Sequence, residues 1–169
     1  IQPAPRVDSI KPTELSVTKK LHRKVQDFLM MSGRSLEIMT NPMVGEKLLS
    51  QASWSTLNEE LVLVNALSKD HDRMRPSMVP SVLEACAKNV KNFSSFSLFE
   101  LGRTSLPGKK AFSEEHNVIT IAMFDKAGSP FVELANVVER LLAYINVPSQ
   151  IVQANAKHPS FVVDRSWTG

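Results

Sequence analysis

The sequence has few of the features that mark secreted or membrane proteins. It contains one cysteine, Cys86, among 169 residues, so no disulfide can form within the chain. No segment resembles a signal peptide, and no run of about 20 apolar residues could cross a membrane. These absences predict a cytoplasmic protein without membrane association.

Aromatic residues are also scarce at 7%, whereas hydrophobic residues reach 43% and charged residues 22%. These proportions are typical of a globular domain with a buried apolar core. The formal net charge is +3, but the basic residues are spread along the chain. An independent RNA-binding module needs clustered basic and aromatic residues, so the composition disfavours that function.

Prolines divide the chain into two parts. Pro3, Pro5 and Pro12 lie close together, and proline removes a backbone donor that helices and central strands need. We therefore predict an extended linker over residues 1–15 and one domain over residues 16–169. We also expect the chain to be a fragment of a longer protein.

Apolar residues recur at helical spacing in three segments, which predicts three amphipathic helices. The first covers Val17 to Met31 and is stopped by Gly33 in the left-handed conformation. The second runs from Met78 to Val90, and the third begins at Pro130 with Ser129 as its cap. The residues predicted to face the core are Val17, Leu21, Val25, Phe28 and Leu29 in the first helix, and Phe131, Leu134, Val138, Leu141, Leu142 and Ile145 in the third.

Alternating and β-branched apolar residues predict strands between these helices. Phe96 to Leu101 and Val118 to Phe124 form the best hairpin candidate, joined through the Pro107-Gly108 turn. The interleaving of helices and strands predicts an α+β fold, a mostly antiparallel sheet flanked by helices. Shorter strands are predicted at Leu36 to Ile38, Leu61 to Val64 and Ile151 to Ala154.

The residues give no convincing catalytic, metal or cofactor site. Gly102 to Lys110 reads G-R-T-S-L-P-G-K-K, one residue too long for a phosphate-binding loop, and Lys110 replaces the required Ser or Thr. No two histidines have the short spacing of a helical metal site. Cys86 lies on an apolar helix face, which favours a buried thiol over a reactive one.

Two segments carry a family resemblance. Asn65 to Asn89 reads N-A-L-S-K-D-H-D-R-M-R-P-S-M-V-P-S-V-L-E-A-C-A-K-N, and Ser97 to Arg103 reads S-L-F-E-L-G-R. They closely resemble the region of phenylalanine–tRNA ligase β subunits in which an N-P-L-S-like turn precedes R-P-S-L-x-P-x-L-L, a helix and the strand L-F-E-I-G-R. Ala66 departs from this pattern by replacing the proline of the turn, and the residues from Phe161 match only loosely. The family-motif positions are Asn65, Arg75, Pro76, Ser77, Pro80, Phe99, Glu100, Gly102 and Arg103.

The resemblance implies a catalytically silent domain with a class II aminoacyl-tRNA synthetase-like fold. In this family the α subunit uses ATP to charge tRNA with phenylalanine, and the β-subunit core supports it within a heterotetramer. The resemblance therefore implies an α-subunit partner and tRNA contact through the holoenzyme. ATP and Mg²⁺ are expected as cofactors of the holoenzyme, and none is expected in this chain.

The alternative is an active adenylate-forming or biotin-ligase-like domain of the same fold. Such a domain needs an arginine fixed over the ATP phosphates, where charge develops as pyrophosphate leaves. Glu100 follows Phe99 at the position where active relatives of the fold carry an arginine, and a carboxylate there would repel the triphosphate. Arg103 is the remaining candidate for an ATP clamp.

The first predicted helix also has an outer face that fits a subunit interface. At 100° per residue, Met30 points away from the core stripe, and Lys19, His22 and Gln26 flank it. Methionine suits adaptable contacts because its side chain is flexible and polarizable. In the resembling family the matching helix lies at a subunit interface, so these four residues are predicted to contact a partner.

Overall fold

The computed structural model describes residues 13–54, 61–108, 113–148, 152–153 and 167–168. Residues 13–15 form no helix or strand, and the rest of the predicted linker lies outside the described residues. No helix in these ranges is long and apolar enough to cross a membrane. The elements in chain order are α1 (Val17–Met31), β1 (Leu36–Glu37), β2 (Met43–Val44), α2 (Glu46–Gln51), a 3₁₀ turn (Lys69–His71), β3 (Arg73–Met74), α3 (Val79–Asn89), β4 (Ser95–Pro107), β5 (Ser113–Asp125), α4 (Phe131–Tyr144), β6 (Val152–Gln153) and β7 (Trp167–Thr168).

The main sheet has the strand order β1-β4-β5. β4 and β5 pair antiparallel from Ser95 opposite Asp125 to Pro107 opposite Ser113, and β1 pairs parallel with β4. The predicted hairpin is therefore confirmed, and it is longer than the apolar alternation indicated. Two short antiparallel pairs, β2 with β3 and β6 with β7, complete the described strands, and the predicted α+β fold is confirmed.

The core lies against one face of β4. Phe99 is fully buried there and packs with residues of α1 and α4. Successive residues of a strand point to opposite faces, so the neighbour of Phe99 lies on the other side of the sheet. The opposite face of β4 carries Glu100 and Gly102 and meets the start of α3, where Met78 and Val82 are buried. β4 is thus covered on both faces. The buried cluster consists of Val25, Phe28, Leu29, Phe99, Val137 and Leu141.

The end of α1 differs from the prediction. Gly33 does not have a positive φ, so it is not the left-handed stop, and that conformation belongs to Arg34 at φ 47°. A Cβ on Gly33 would stand 2.8 Å from the carbonyl oxygen of Leu29. Glycine is therefore needed for close backbone approach after the helix, and the chain reverses one residue later than predicted.

Three further predictions are wrong in detail. Leu61 to Val64 is not a strand, because it makes only an isolated bridge between Val62 and Arg73. α4 begins at Phe131 with Pro130 as its cap residue, and no side chain caps it. The first turn of α1 lies outside the core, since Val17 is 83% exposed and Leu21 is also exposed.

We predict that Leu29→Ala destabilises the fold by about 2–5 kcal/mol, because Leu29 is completely buried and its truncation leaves a cavity. Met31→Ala on the same helix is the control, since Met31 is 83% exposed and its truncation should change stability by less than about 0.5 kcal/mol. Urea unfolding followed by circular dichroism measures both values. Equal effects would contradict the placement of Leu29 in the core.

Candidate functional site

A buried ion pair joins the two segments that carry the family resemblance. Arg75, directly after β3, places Nη1 2.8 Å from Oε1 of Glu100 on β4. The side chains of Arg75 and Glu100 are only 5% and 3% exposed. A charge removed from water requires a partner and hydrogen bonds, and each residue supplies them to the other.

Thr40 completes this network from the segment after β1. Its hydroxyl donates to Oε2 of Glu100 at 2.7 Å and accepts from Nη1 of Arg75 at 2.8 Å. The backbone N–H of Thr40 also donates to Oε1 of Glu100 at 3.3 Å. Each oxygen of the Glu100 carboxylate therefore has a donor, and the charge is satisfied although it is buried.

The backbone holds Arg75 in place on both sides. The side-chain Nε of Arg75 donates to the carbonyl of Arg103 at 2.9 Å. The backbone N–H of Arg75 donates to the carbonyl of Pro42 at 3.0 Å. The carbonyl of Arg75 accepts from the N–H of Ser105 at 3.2 Å. The pair therefore connects β4 to the segments around β2 and β3. We call Arg75, Glu100 and Thr40 the arginine network.

Gly102 makes room for this arginine. A Cβ at Gly102 would overlap Nη2 of Arg75 and stand 3.1 Å from Sδ of Met78. The φ of Gly102 is not positive, so its glycine is required by space and not by backbone conformation. The sequence F-E-L-G-R is therefore explained by packing: Phe99 fills the core, Glu100 binds Arg75, and Gly102 admits the guanidinium.

The remaining motif residues have separate positions. Pro80 is buried in the first turn of α3, and Pro76 is half-buried ahead of it. The hydroxyl of Ser77 accepts from the N–H of Val79 at 3.2 Å, which supports the start of the helix. Asn65 lies in an exposed turn and takes no part in the arginine network. The sequence indicated these residues as one motif but gave no sign that Thr40 joins it.

The structure changes the electrostatic argument made from the sequence. Glu100 is not an isolated carboxylate facing a nucleotide site, because Arg75 compensates its charge within the fold. Arg103, the candidate ATP clamp, is 67% exposed at its side chain, and Nη1 lies 2.7 Å from Oε2 of Glu115 on β5. Both motif arginines therefore have carboxylate partners.

The four residues predicted for the outer face of α1 differ in exposure. Met30 is 52% exposed, Lys19 is exposed, and His22 and Gln26 are half-buried. Nε2 of Gln26 hydrogen-bonds to Oε2 of Glu37 on β1. This contact links the outer face of the helix to the short edge strand beside it.

Other reactive groups lie apart from the arginine network. Burial raises the pKa of the Cys86 thiol, which favours its neutral, unreactive form. A polar cleft of about 420 Å³ lies between α2, the 3₁₀ turn and α3, lined by residues that include Lys47, His71 and Ser81. None of the family-motif residues lines this cleft. Within the described ranges, no group of three His, Cys, Asp or Glu residues is placed to hold a metal ion.

The fold is shared with solved synthetase structures. Two structures of pyrrolysyl-tRNA synthetase from Desulfitobacterium hafniense superpose with TM-scores of 0.65 and 0.66 at 13% sequence identity. Each match covers 83% of this chain and 51% of the other chain. The fold is therefore that of the class II aminoacyl-tRNA synthetases.

Sequence comparison identifies the family within that class. The chain is 26% identical over 152 residues to the phenylalanine–tRNA ligase β subunit of Clostridium tetani, matching 86% of this chain and 19% of that protein. It is 30% identical over 112 residues to the β subunit of Methanococcus aeolicus, matching 64% of this chain and 20% of that protein. The chain thus spans about a fifth of these relatives. Residues 1–168 match the phenylalanyl tRNA synthetase beta chain CLM domain, and the chain belongs to this family.

We predict that Arg75→Met lowers the free energy of unfolding by about 3–5 kcal/mol, because it leaves the Glu100 carboxylate buried without its partner. Combining it with Glu100→Leu should recover part of this loss, since the double variant removes both charges. Urea unfolding of the single and double variants measures the coupling.

The exposed pair of Arg103 and Glu115 is the matched control. Arg103→Gln and Glu115→Gln should each change stability by less than about 1 kcal/mol. Additive losses in the Arg75 and Glu100 variants would contradict a coupled buried pair.

Proposed function

We propose that the chain is a non-catalytic assembly domain of a phenylalanine–tRNA ligase β subunit. In this proposal it supports the ATP-dependent charging of tRNA with phenylalanine by a partner α subunit. The observation that carries the proposal is the buried pair of Arg75 and Glu100, in which one charged residue from each family segment holds the fold together.

Adenylate chemistry requires cationic groups that are free to bind the phosphates of ATP. Arg75 cannot serve this purpose, because its guanidinium is buried and bonded to Glu100, Thr40 and the Arg103 carbonyl. The guanidinium of Arg103 is bonded to Glu115. These contacts support a structural use of the motif, with ATP and Mg²⁺ bound by the α subunit.

Exposed apolar side chains support the assembly role. Met30 and Met31 are exposed on the last turn of α1, and Leu36 and Met39 are exposed on and after β1. Adjacent exposed apolar residues are typical of surfaces that a partner covers. We propose that the partner is the α subunit within a cytoplasmic heterotetramer, and that tRNA binds through the assembled holoenzyme.

We predict that Arg103→Ala in the assembled α and β subunits changes phenylalanine-dependent ATP–pyrophosphate exchange by less than about twofold. The guanidinium is a surface group paired with Glu115 and contributes no ATP contact in this proposal. Exchange measured with saturating ATP and phenylalanine tests this outcome. A loss of about 100-fold or more, as expected for a group that stabilises transition-state charge, would favour an active adenylate-forming domain.

We predict that Met30→Glu in a β subunit that contains this domain weakens association with the α subunit by at least about tenfold. Burying Met30 contributes roughly 1.5–3 kcal/mol, and placing an unpaired carboxylate in the interface costs more. Sedimentation velocity measures assembly, and circular dichroism checks that the fold is intact.

Val17→Glu is the control, because it introduces the same charge at an exposed apolar residue in the first turn of α1, at the other end of the helix from Met30. Assembly that is unchanged in Met30→Glu would remove the face formed by Lys19, His22, Gln26 and Met30 from the interface. Equally weakened assembly in Val17→Glu would show that an added charge anywhere on α1, and not the position of Met30, causes the loss.

A further inference from the structure

β1 and the residues after it are joined to the main sheet by little backbone pairing. β1 contains two residues, and its parallel ladder pairs Leu36 with Leu98 and Glu37 with Phe99. The N–H of Ile38 then donates to the carbonyl of Phe99 at 2.9 Å. Short segments with few ladder bonds open at low free-energy cost. This segment therefore depends on contacts other than its ladder to stay against β4.

Side-chain hydrogen bonds hold the segment at both of its ends. At the start, the hydroxyl of the buried Ser35 lies 2.6 Å from the hydroxyl of Ser97 on β4. At the end, the hydroxyl of Thr40 donates to Glu100 on β4 and accepts from Arg75. The backbone N–H of Thr40 donates to the same carboxylate. The end of the segment is thus bonded to the arginine network.

Residues 35–40, which we call the anchored segment, carry exposed apolar side chains between these two ends. Leu36 is 67% exposed and Met39 is 94% exposed. Both belong to the surface that the proposed function assigns to the α subunit. Met39 directly precedes Thr40 in the chain. The residue that joins the arginine network therefore also fixes the backbone beside the most exposed apolar side chain of this surface.

We propose that Thr40 is a positioning residue for assembly: through Glu100 and Arg75 it holds the anchored segment in the conformation that the α subunit binds. This inference rests on the proposed function, in which that surface contacts the α subunit. A segment that is already ordered in the free β subunit loses little conformational entropy on association, whereas a loose segment has to be ordered during binding. The arginine network thus has a second role beside the stability of the fold.

Thr40→Val tests this role, because valine has nearly the shape of threonine but lacks the hydroxyl that donates to Glu100. In a β subunit that contains this domain, we expect the variant to weaken association with the α subunit by at least about tenfold. Thr40→Ser keeps the hydroxyl and should restore association to within about twofold of the original protein. Sedimentation velocity measures association in each case.

Amide hydrogen exchange in the β subunit alone reports the order of the segment before association. The amide of Ile38 should exchange at least about tenfold faster in Thr40→Val than in Thr40→Ser, because it opens with the anchored segment. Leu49→Ala is the control for a general loss of stability, since Leu49 is buried in α2 and makes no bond to the segment. It should leave both association and Ile38 exchange within about twofold of the original protein. Circular dichroism checks that every variant is folded.

Met39→Glu separates failure of this inference from failure of the proposed function. Unchanged association in Met39→Glu would contradict the proposed surface, and the inference with it. Weakened association in Met39→Glu but not in Thr40→Val would overturn the inference alone, and so would equal Ile38 exchange in Thr40→Val and Thr40→Ser. Equal weakening in Leu49→Ala and Thr40→Val would also overturn it, because the loss would then follow stability and not the bonds of Thr40.

Discussion

The structure depends on a buried charge that has to be neutralised inside the fold. Glu100 lies on the central strand β4 and is removed from water, so the arrangement is stable only while Arg75 and Thr40 saturate its oxygens. Arg75 also bonds to the backbone, through Nε to the Arg103 carbonyl, through its backbone N–H to Pro42 and through its carbonyl to Ser105, so this one residue connects the segments around β2 and β3 to β4. A well-packed apolar pair could fill the same space, but it would make no directional hydrogen bonds between these segments.

The arginine network and the apolar core lie on opposite faces of β4. Phe99 and Glu100 are consecutive, so they point to opposite faces of β4, one toward α1 and α4 and the other toward the segment before α3. Gly102 then admits the arginine without a steric conflict. The motif residues therefore serve packing within the fold, which agrees with a scaffold role better than with a phosphate-binding role.

The local elements were predictable where local chemistry decides them. α1 begins at Val17 and ends at Met31 as predicted, because its apolar stripe, its Ser16 cap and the break after it are all local. The hairpin followed from the alternation of apolar residues, whereas Pro107, which was predicted to lie in the turn, is the last residue of β4 and pairs with Ser113. Leu61 to Val64 makes only a single bridge, to Arg73, because its partner β3 is two residues long and β propensity does not lengthen it.

The sequence by itself determined the family, the α+β class and the residues of the two motifs. Only the tertiary structure decided what those residues do, because Arg75 and Glu100 lie 25 positions apart and Thr40 lies 60 positions from Glu100. No periodicity connects residues at such separations, since periodicity reports which face of one element is buried and not which element covers it. Long-range pairing changed Glu100 from a predicted repulsive charge into the partner that holds Arg75 in place.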